Sequence, residues 1–600
     1  MSGKLADMRF IRFLLYEVNK IEELLQYPYH EDHSRETFDM ALDAAYDLAH
    51  EVFWPAFQEM DREGATFDGK NVTAPKAMRE IWRQCKEGGW FAPNVRYDLG
   101  GQQFPLSIFA VTTFLFNAGN NSAAMYVSGA WGAAHLIESF GSEDLKARYL
   151  QPLYGGVWGG TMALTEPDAG SSLGDITTTA VKASDGDHYL IRGTKRFISS
   201  GDHDLTENIV HPVLVRLEGA PPGVKGISLV VVPKRRVNPD GSLGEFNNVV
   251  TAGIEHKMGL RGQATASLIF GEQGECHGWL IGEPNKGLSY MFQLMNHARV
   301  FTGIQAVAGA SAAYHCAVQY ARERLQGREI TNRDPLSPQI PIISHADVRR
   351  MLLQQKAFIE GALGMILFCA KVADRLQNTT DEEEKKNCNL LLETLTPCCK
   401  AHVSDEAFKS IATALQCFGG AGFCEEFPVA QLLRDSKVFS IYEGANGIQA
   451  MDLLGRKVPM EAGAAVRVLM MQIGKNIAEA SALEALKPLA DKVQEVQNAV
   501  IDVTMHLGAI GMSGAVNLYI CNATAYLEMF SQLVMAWQHL TQATVAQQAL
   551  DAGADDADFY RAKLETARFY INTTTPHTLA TAQMLKAVER TALDYPPDWF

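Results

Sequence analysis

The feature that most constrains this chain is a change of texture at Thr161. From there to Gly287, short β-branched runs are broken by turn signals, while the sequence on either side carries apolar residues at helical spacing. The runs TTTAVKA, HYLIRG, RFISSG, ENIVHPVLVRL, GISLVVVP and ASLIFG read as strands, with Asp185-Gly186 and Pro239-Asp240-Gly241 as turns. The pattern predicts a mainly α chain with a β domain inserted between helical ones.

The helical parts have their own signatures. Ala41, Leu42, Ala45, Leu48, Ala49 and Phe53 form one stripe, and Ile108–Phe116 and Ala123–Phe140 read as buried helices rich in small residues. Val348, Met351, Leu352, Ile359 and Leu363 make a later apolar face. Between them Ile330–Ile342 holds Pro335, Pro338 and Pro341 and reads as a loop insertion. The charged run Asp381–Lys386 reads as a solvated helix end or loop. The expected domains are an N-terminal helical extension over 1–37, a helical domain over 38–160, the β domain over 161–287, a second helical domain over 288–458 and an additional helical module over 459–600. The last is rich in Ala, Leu, Gln and Met and carries no catalytic constellation.

Charge and cysteines exclude several functions. A formal net charge of −16 argues against a nucleic-acid surface, which needs clustered Lys and Arg. No apolar run reaches the length of a membrane span, and the N-terminus mixes charge with apolar residues, unlike a secretory signal. The 10 cysteines form no Cys-x-x-Cys pair, so neither a zinc site nor a redox motif is expected, and reduced thiols in a cytoplasmic protein are the simplest account. The C-terminal module lacks a strongly basic amphipathic face, so packing in a dimer is favoured over bilayer contact.

Three stretches carry candidate chemistry. In QLLRDSKVFSIYEGANGIQAMDLLGR, Gln431 to Arg456, only Glu443 of the acidic residues sits at a break between apolar stretches. A carboxylate there is expected to lose some of its water, which raises its pKa and makes it a better base. A surface Glu opening a helix fits the same residues. TMALTEPDAGSS, Thr161 to Ser172, runs a strand into a turn with exposed N–H groups and hydroxyls, suited to a flavin edge or a phosphate, or an ordinary strand exit. Its Gly170-Ser171-Ser172-Leu173-Gly174 matches a hydrolase pattern, but no helix-forming sequence follows, so Ser172 is rejected as a nucleophile. QCFGGAGF, Gln416 to Phe423, allows close backbone approach to a ligand or forms a helix C-cap. No P-loop or dinucleotide fingerprint is present.

Taken in order, TEPDAGS, ER, FGGAGF and IYEG resemble the acyl-CoA dehydrogenase family over residues 40 to 456. The extra C-terminal module is similar to the large subgroup that includes 3-methylmercaptopropionyl-CoA and long-chain or aryl acyl-CoA dehydrogenases. The resemblance implies an N-terminal helical domain, a middle β-barrel and a C-terminal four-helix bundle, plus the additional module. It implies FAD as cofactor, an acyl-CoA substrate, an electron-transfer flavoprotein as acceptor and a homodimer. By it, Glu443 is the catalytic base and Gly444 touches the thioester. Leu164, Thr165, Gly170 and Ser171 match the flavin-binding segment, and Phe197 and Ser199 the aromatic and hydroxyl beside the flavin ring. Arg324 reaches the FAD of a neighbouring subunit, and Gln416, Gly419 and Gly420 form the adenine-side loop. Asn296 and Arg299 fall on the helix lining the acyl-CoA pocket, and Ser171 also faces substrate. Some members carry their base near Ala298, which cannot take a proton here. Ala445 and Gly447 stand where the family has Thr and Gln, and the loop from Arg324 to Gly327 is one residue short, so it must be rebuilt locally. An acyl-CoA oxidase and a non-catalytic binding protein on this fold are the rival readings. The second needs a basic surface, against which the net charge of −16 argues.

Overall fold

The β-branched runs pair into one sheet in the order Val249–Ile254, Thr265–Phe270, Tyr189–Ser199, His277–Leu280, Ile227–Pro233, Ile209–Leu217 and Gly159–Gly160. Thr179–Lys182 pairs with both Tyr189–Ser199 and Ile209–Leu217. That double pairing closes a ring through Ile227–Pro233 and His277–Leu280, a small barrel. Its interior is filled by Ile191, Val213, Val215, Val230 and Val232, with Leu268 and Phe270 in the same buried cluster. HYLIRG and RFISSG, which read as separate strands, are one. The first half of Tyr189–Ser199 pairs with Thr179–Lys182 and the second half with Thr265–Phe270, so one partner takes over where the other ends.

The computed structural model describes residues 4–184 and 186–600, so Asp185 of the expected Asp185-Gly186 turn lies outside the described residues. The chain divides into two compact units. One comprises residues up to Phe38, Pro105–Phe114 and Arg299–Phe600; the other comprises Asp39–Phe104 and Leu115–Ala298 and holds the barrel.

The two apolar stretches fold as two helices within Leu106–Phe140, as expected, and meet at a kink at Asn120 (φ −166°, ψ 101°). The Asn120 carboxamide oxygen accepts from the Ala123 N–H at 3.2 Å, so a side-chain cap restarts the helix past the break. At its start, the main-chain N–H groups of Leu106 and Ser107 donate to Asp374 at 2.6 and 3.0 Å.

The other unit is helical. Gly287–Glu323, Ala346–Asn378, Glu382–Pro397 and Val403–Phe418 supply its long helices. The charged run opens the third of these: Asp381 accepts from the N–H groups of Glu383 and Glu384. The proline-rich segment is a loop tied at its base, with Gln326 N–H donating to Ile340 O at 3.0 Å and Ile340 N–H to Gly327 O at 3.1 Å. The C-terminal helices are Ala464–Ser481, Lys487–Met512, Ala523–Asp551 and Ala557–Ala587. Among the described residues no helix is long and apolar enough to cross a membrane.

Ala523–Asp551 packs on Ala346–Asn378 at Gly361. A Cβ there would lie 2.7 Å from Met535 Cε and 2.9 Å from His539 Nε2. His539 Nε2 is 2.9 Å from Ala357 O, and Gln542 Nε2 donates to Glu360 O at 3.1 Å. Beside this contact the buried Glu360 carboxylate takes both Lys356 and Lys563 on one oxygen. Burial opposes its charge, but the two ammoniums hold its pKa down to about 2. Overpacking this seam, as in Gly361→Val, is expected to cost about 1–3 kcal/mol. The midpoint of chemical denaturation reads the loss, and an unchanged midpoint would show that the helices do not need this close approach.

Candidate functional site

Glu443 stands at a corner of the main chain. Helix Pro428–Ser436 and a tight turn over Lys437–Ser440 lead into it, and helix Asn446–Asp452 leads away. Glu443 has φ 55° and Gly444 φ 83°, two successive residues in the left-handed region. Glycine adopts that conformation freely, whereas for a non-glycine residue it costs on the order of 1–3 kcal/mol and persists only when its surroundings enforce it.

The surroundings here are specific. Buried Gln449 donates from Nε2 to the carbonyls of Glu443 and Gly444 at 3.3 and 3.4 Å. Asn446 is held from the turn Cys398–His402 and the start of helix Val403–Phe418: its Oδ1 accepts from Lys400 Nζ at 2.8 Å, and its Nδ2 donates to Ala401 O at 3.1 Å and Ser404 Oγ at 3.0 Å. On the other side, Tyr442 Oη donates to Gln305 Oε1 at 2.6 Å.

The electrostatics of the corner favour a weakly acidic carboxyl. Desolvation raises the pKa of half-buried Glu443 above the usual carboxylate range, against the pull of Lys400 and Arg299. Lys400 is itself fully buried, and desolvation pushes it down to about 8, with Glu443 and Asp405 opposing. The buried Arg299 guanidinium meets Asp452 at 3.2 Å, and Asp452 also meets Arg456 at 3.4 Å. A carboxyl with raised pKa on a strained, externally clamped corner can act as a general base.

The barrel unit carries the other candidate residues around a buried ion pair. Lys195 Nζ meets Glu166 Oε1 at 2.8 Å, with both side chains buried. Lys195 also donates to Leu164 O at 2.9 Å, and Arg196 N–H donates to Thr165 O at 2.9 Å. Glu166 further accepts from Thr177 N–H at 2.6 Å and Thr178 N–H at 3.0 Å. Burial alone would raise its pKa, but Lys195 and these donors bring it to about 2. The main chain at Leu164 and Thr165 is thereby fixed, while Gly170 and Ser171 stay exposed at the tip.

Phe197 lies on the next stretch of strand, with φ 61° and 54% of its surface exposed. A bulky residue at positive φ is an outlier, and an exposed ring at such a site is costly on both counts. The Arg196 guanidinium sits 4.7 Å over the ring and pairs with Glu255 at 2.9 Å. Ser199 is half-buried at the strand end.

The remaining sequence candidates fall in these same units. Arg324 is exposed just past helix Gly287–Glu323, and Gln416, Gly419 and Gly420 are exposed at the end of Val403–Phe418. A Cβ at Gly419 or Gly420 would meet no atom within 4 Å. Asn296 is half-buried on Gly287–Glu323. Sequence reasoning missed Lys400, Asn446 and the Glu166–Lys195 pair. Lys400 had a signal: it is the one charge in the apolar run from Leu395 to Val403, where lysine is rare unless paired.

Comparison with known proteins places the chain. Residues 35–157 match the acyl-CoA dehydrogenase N-terminal domain, 161–272 the middle domain, 285–457 the C-terminal domain and 469–596 a domain described as acetyl-CoA dehydrogenase C-terminal like. A butyryl-CoA dehydrogenase of Syntrophomonas wolfei is 35% identical over 610 residues, covering 99% of each chain. The chain belongs to the acyl-CoA dehydrogenase family, a family of oxidoreductases. A 3-methylmercaptopropionyl-CoA dehydrogenase of Ruegeria pomeroyi is 37% identical over 511 residues, 85% of each chain. Among solved structures, an acyl-CoA dehydrogenase from Bacillus anthracis, complexed with FAD, shares the fold with a TM-score of 0.73 at 21% identity, covering 96% of this chain and 92% of that one.

In this acyl-CoA dehydrogenase family member the Glu166–Lys195 pair is open to a direct test. Lys195→Ala leaves a buried carboxylate without its counter-charge, and a loss of about 3–5 kcal/mol in stability is expected from denaturant unfolding. The double replacement Glu166→Leu with Lys195→Met should recover most of that loss. A single variant as stable as the parent would show that the pair does not hold the Leu164–Thr165 segment.

Proposed function

We propose that this chain is an FAD-dependent acyl-CoA dehydrogenase that converts an acyl-CoA thioester to the trans-2-enoyl-CoA, with Glu443 as the base. The observation that carries the reading is the Glu443 carboxyl, of raised pKa, held at a left-handed corner clamped from neighbouring elements.

The residues present fit a flavin. An aromatic ring exposed at a strained φ, beside main chain fixed by a buried ion pair, is a surface built to be covered by a flat group. Leu164, Thr165, Gly170, Ser171, Phe197 and Ser199 would hold the flavin part. Gln416, Gly419 and Gly420 would receive the adenine side, where a Cβ would find open space. When bound, FAD supplies the acceptor for the β-hydrogen and its electron pair.

The chain's own residues do the rest. The N–H of Glu443 polarises the thioester carbonyl, as an oxyanion-type donor does. Gly444, with no side chain, leaves the thioester room beside it. The ionised Glu443 carboxylate takes the α-proton as the α C–H bond breaks. Placing Glu443 at a fixed corner removes the cost of orienting it in the reaction.

Beyond the reaction itself, we propose an electron-transfer flavoprotein as acceptor and a homodimer. Arg324 and Phe423, the latter 87% exposed, are surface that a second subunit would cover. A cytoplasmic setting fits cysteines that are all free among the described residues.

Glu443→Gln should retain flavin and acyl-CoA binding and lose roughly 10²–10⁴ in turnover with a dye acceptor. Near-normal turnover would remove Glu443 from the role. In the parent enzyme the base works only when ionised, so kcat/KM should rise with pH through a value above the usual Glu range, following the raised Glu443 pKa. A flat profile down to the ordinary range would contradict that. The acyl group is decided by a panel of straight, branched, aryl and thioether acyl-CoAs, with the butyryl and 3-methylmercaptopropionyl thioesters included; turnover of none of them would end the reading.

A further inference from the structure

We propose that Lys400 is a positioning residue for Glu443: through Asn446 it holds the corner from which the carboxylate acts, and its ammonium supplies the positive charge that favours the ionised base. The proposal rests on Glu443 being the base.

Lys400 is fully buried, and a buried ammonium is expensive unless something uses its charge. It sits on the wide turn Cys398–His402 between helices Glu382–Pro397 and Val403–Phe418. Such π-type turns are rare and recur at functional sites. Among the described residues no carboxylate lies within ion-pair distance of Lys400. Its Nζ goes instead to the Asn446 carboxamide at 2.8 Å, and the other end of that carboxamide is taken by Ala401 O of the same turn and by Ser404 Oγ of the following helix. Asn446 opens the helix that follows the Glu443–Gly444 corner, so fixing its side chain fixes the exit of the corner.

The charges around Glu443 divide by what already neutralises them. Arg299, from helix Gly287–Glu323, is matched at contact distance by Asp452, which also meets Arg456. Asp405, from helix Val403–Phe418, acts on Lys400, and Tyr442 is engaged with Gln305. Lys400, whose Nζ lies 2.8 Å from the side chain of Asn446 in the helix that leaves the corner, is therefore, among the described residues, the cation acting on Glu443 that has no carboxylate at ion-pair distance. Burial brings Lys400 to about 8, so the ammonium form predominates at neutral pH.

The test compares the flavin-loaded parent with Lys400→Met, Lys400→Arg and Asn446→Ala. An opposite charge nearby lowers a carboxyl pKa by about 1–3 units, so Lys400→Met should move the acidic limb of the kcat/KM profile up by about one unit or more. Lys400→Arg keeps the charge and should keep the limb. Asn446→Ala keeps the charge but frees the corner, and should lower kcat with the limb in place. A second readout is infrared titration of the carboxyl band that Glu443→Gln lacks, which should shift upward in Lys400→Met by the same amount. Should Lys400→Met fail to fold, Lys400→Gln serves in its place. A neutral variant with the parent's limb and carboxyl titration overturns the proposal while leaving the base assignment standing. Parent-like turnover in Glu443→Gln overturns both.

Discussion

A carboxylate must lose water to become a useful base and must keep a fixed direction once it has. In the base role proposed for Glu443, both demands fall on one piece of backbone. The residue is held in a left-handed conformation that its own side chain disfavours, and the following glycine extends the turn. Gln449 ties the two carbonyls of the corner, and the Cys398–His402 turn ties the helix that leaves it. The strain is local; Gln449 restrains it from nearby in the sequence, and the Cys398–His402 turn does so from a distant stretch.

Buried charge recurs wherever this chain needs a precise arrangement. Glu166 and Lys195 lock the main chain at Leu164 and Thr165, Arg299 and Asp452 pair near the corner, and Glu360 gathers Lys356 and Lys563 where the C-terminal helices dock. Such pairs contribute little net stability compared with well-packed apolar residues, yet breaking one is costly. They act as registration marks: each tolerates only one geometry. Lys400 departs from this pattern because its nearest hydrogen-bond partner is a neutral amide. Its charge is left to act at longer range.

Much of the fold was legible because its signals are local. The β-branched runs and the apolar stripes report on neighbours two to four residues away, and so did the break in apolar spacing around Glu443. The proline-rich stretch before Ile342 reads as a loop and is one. What was not legible depended on distant partners. Whether HYLIRG and RFISSG make one strand or two is decided by Thr179–Lys182 and Thr265–Phe270, which share that strand. The restart of a helix at Asn120 depends on its side chain turning back to Ala123. Lys195 and Glu166 are 29 positions apart, and Lys400 and Asn446 are 46 apart, so no periodicity links them. The roles proposed for Leu164, Phe197 and Arg324 rest on resemblance to a family; locally, the main chain at Leu164 is tied by Lys195, and Phe197 and Arg324 are exposed.

One carboxylate is proposed to take a proton from the carbon beside a thioester while a bound flavin is reduced. Anaerobic mixing of the purified, flavin-loaded protein with an excess of butyryl-CoA or another acyl-CoA of the panel tests it most directly. Rapid loss of the yellow flavin absorbance, with 2-enoyl-CoA recovered in equal amount, is the predicted result. A protein that stays colourless when FAD is added, or one that stays yellow with every acyl-CoA offered, would contradict it.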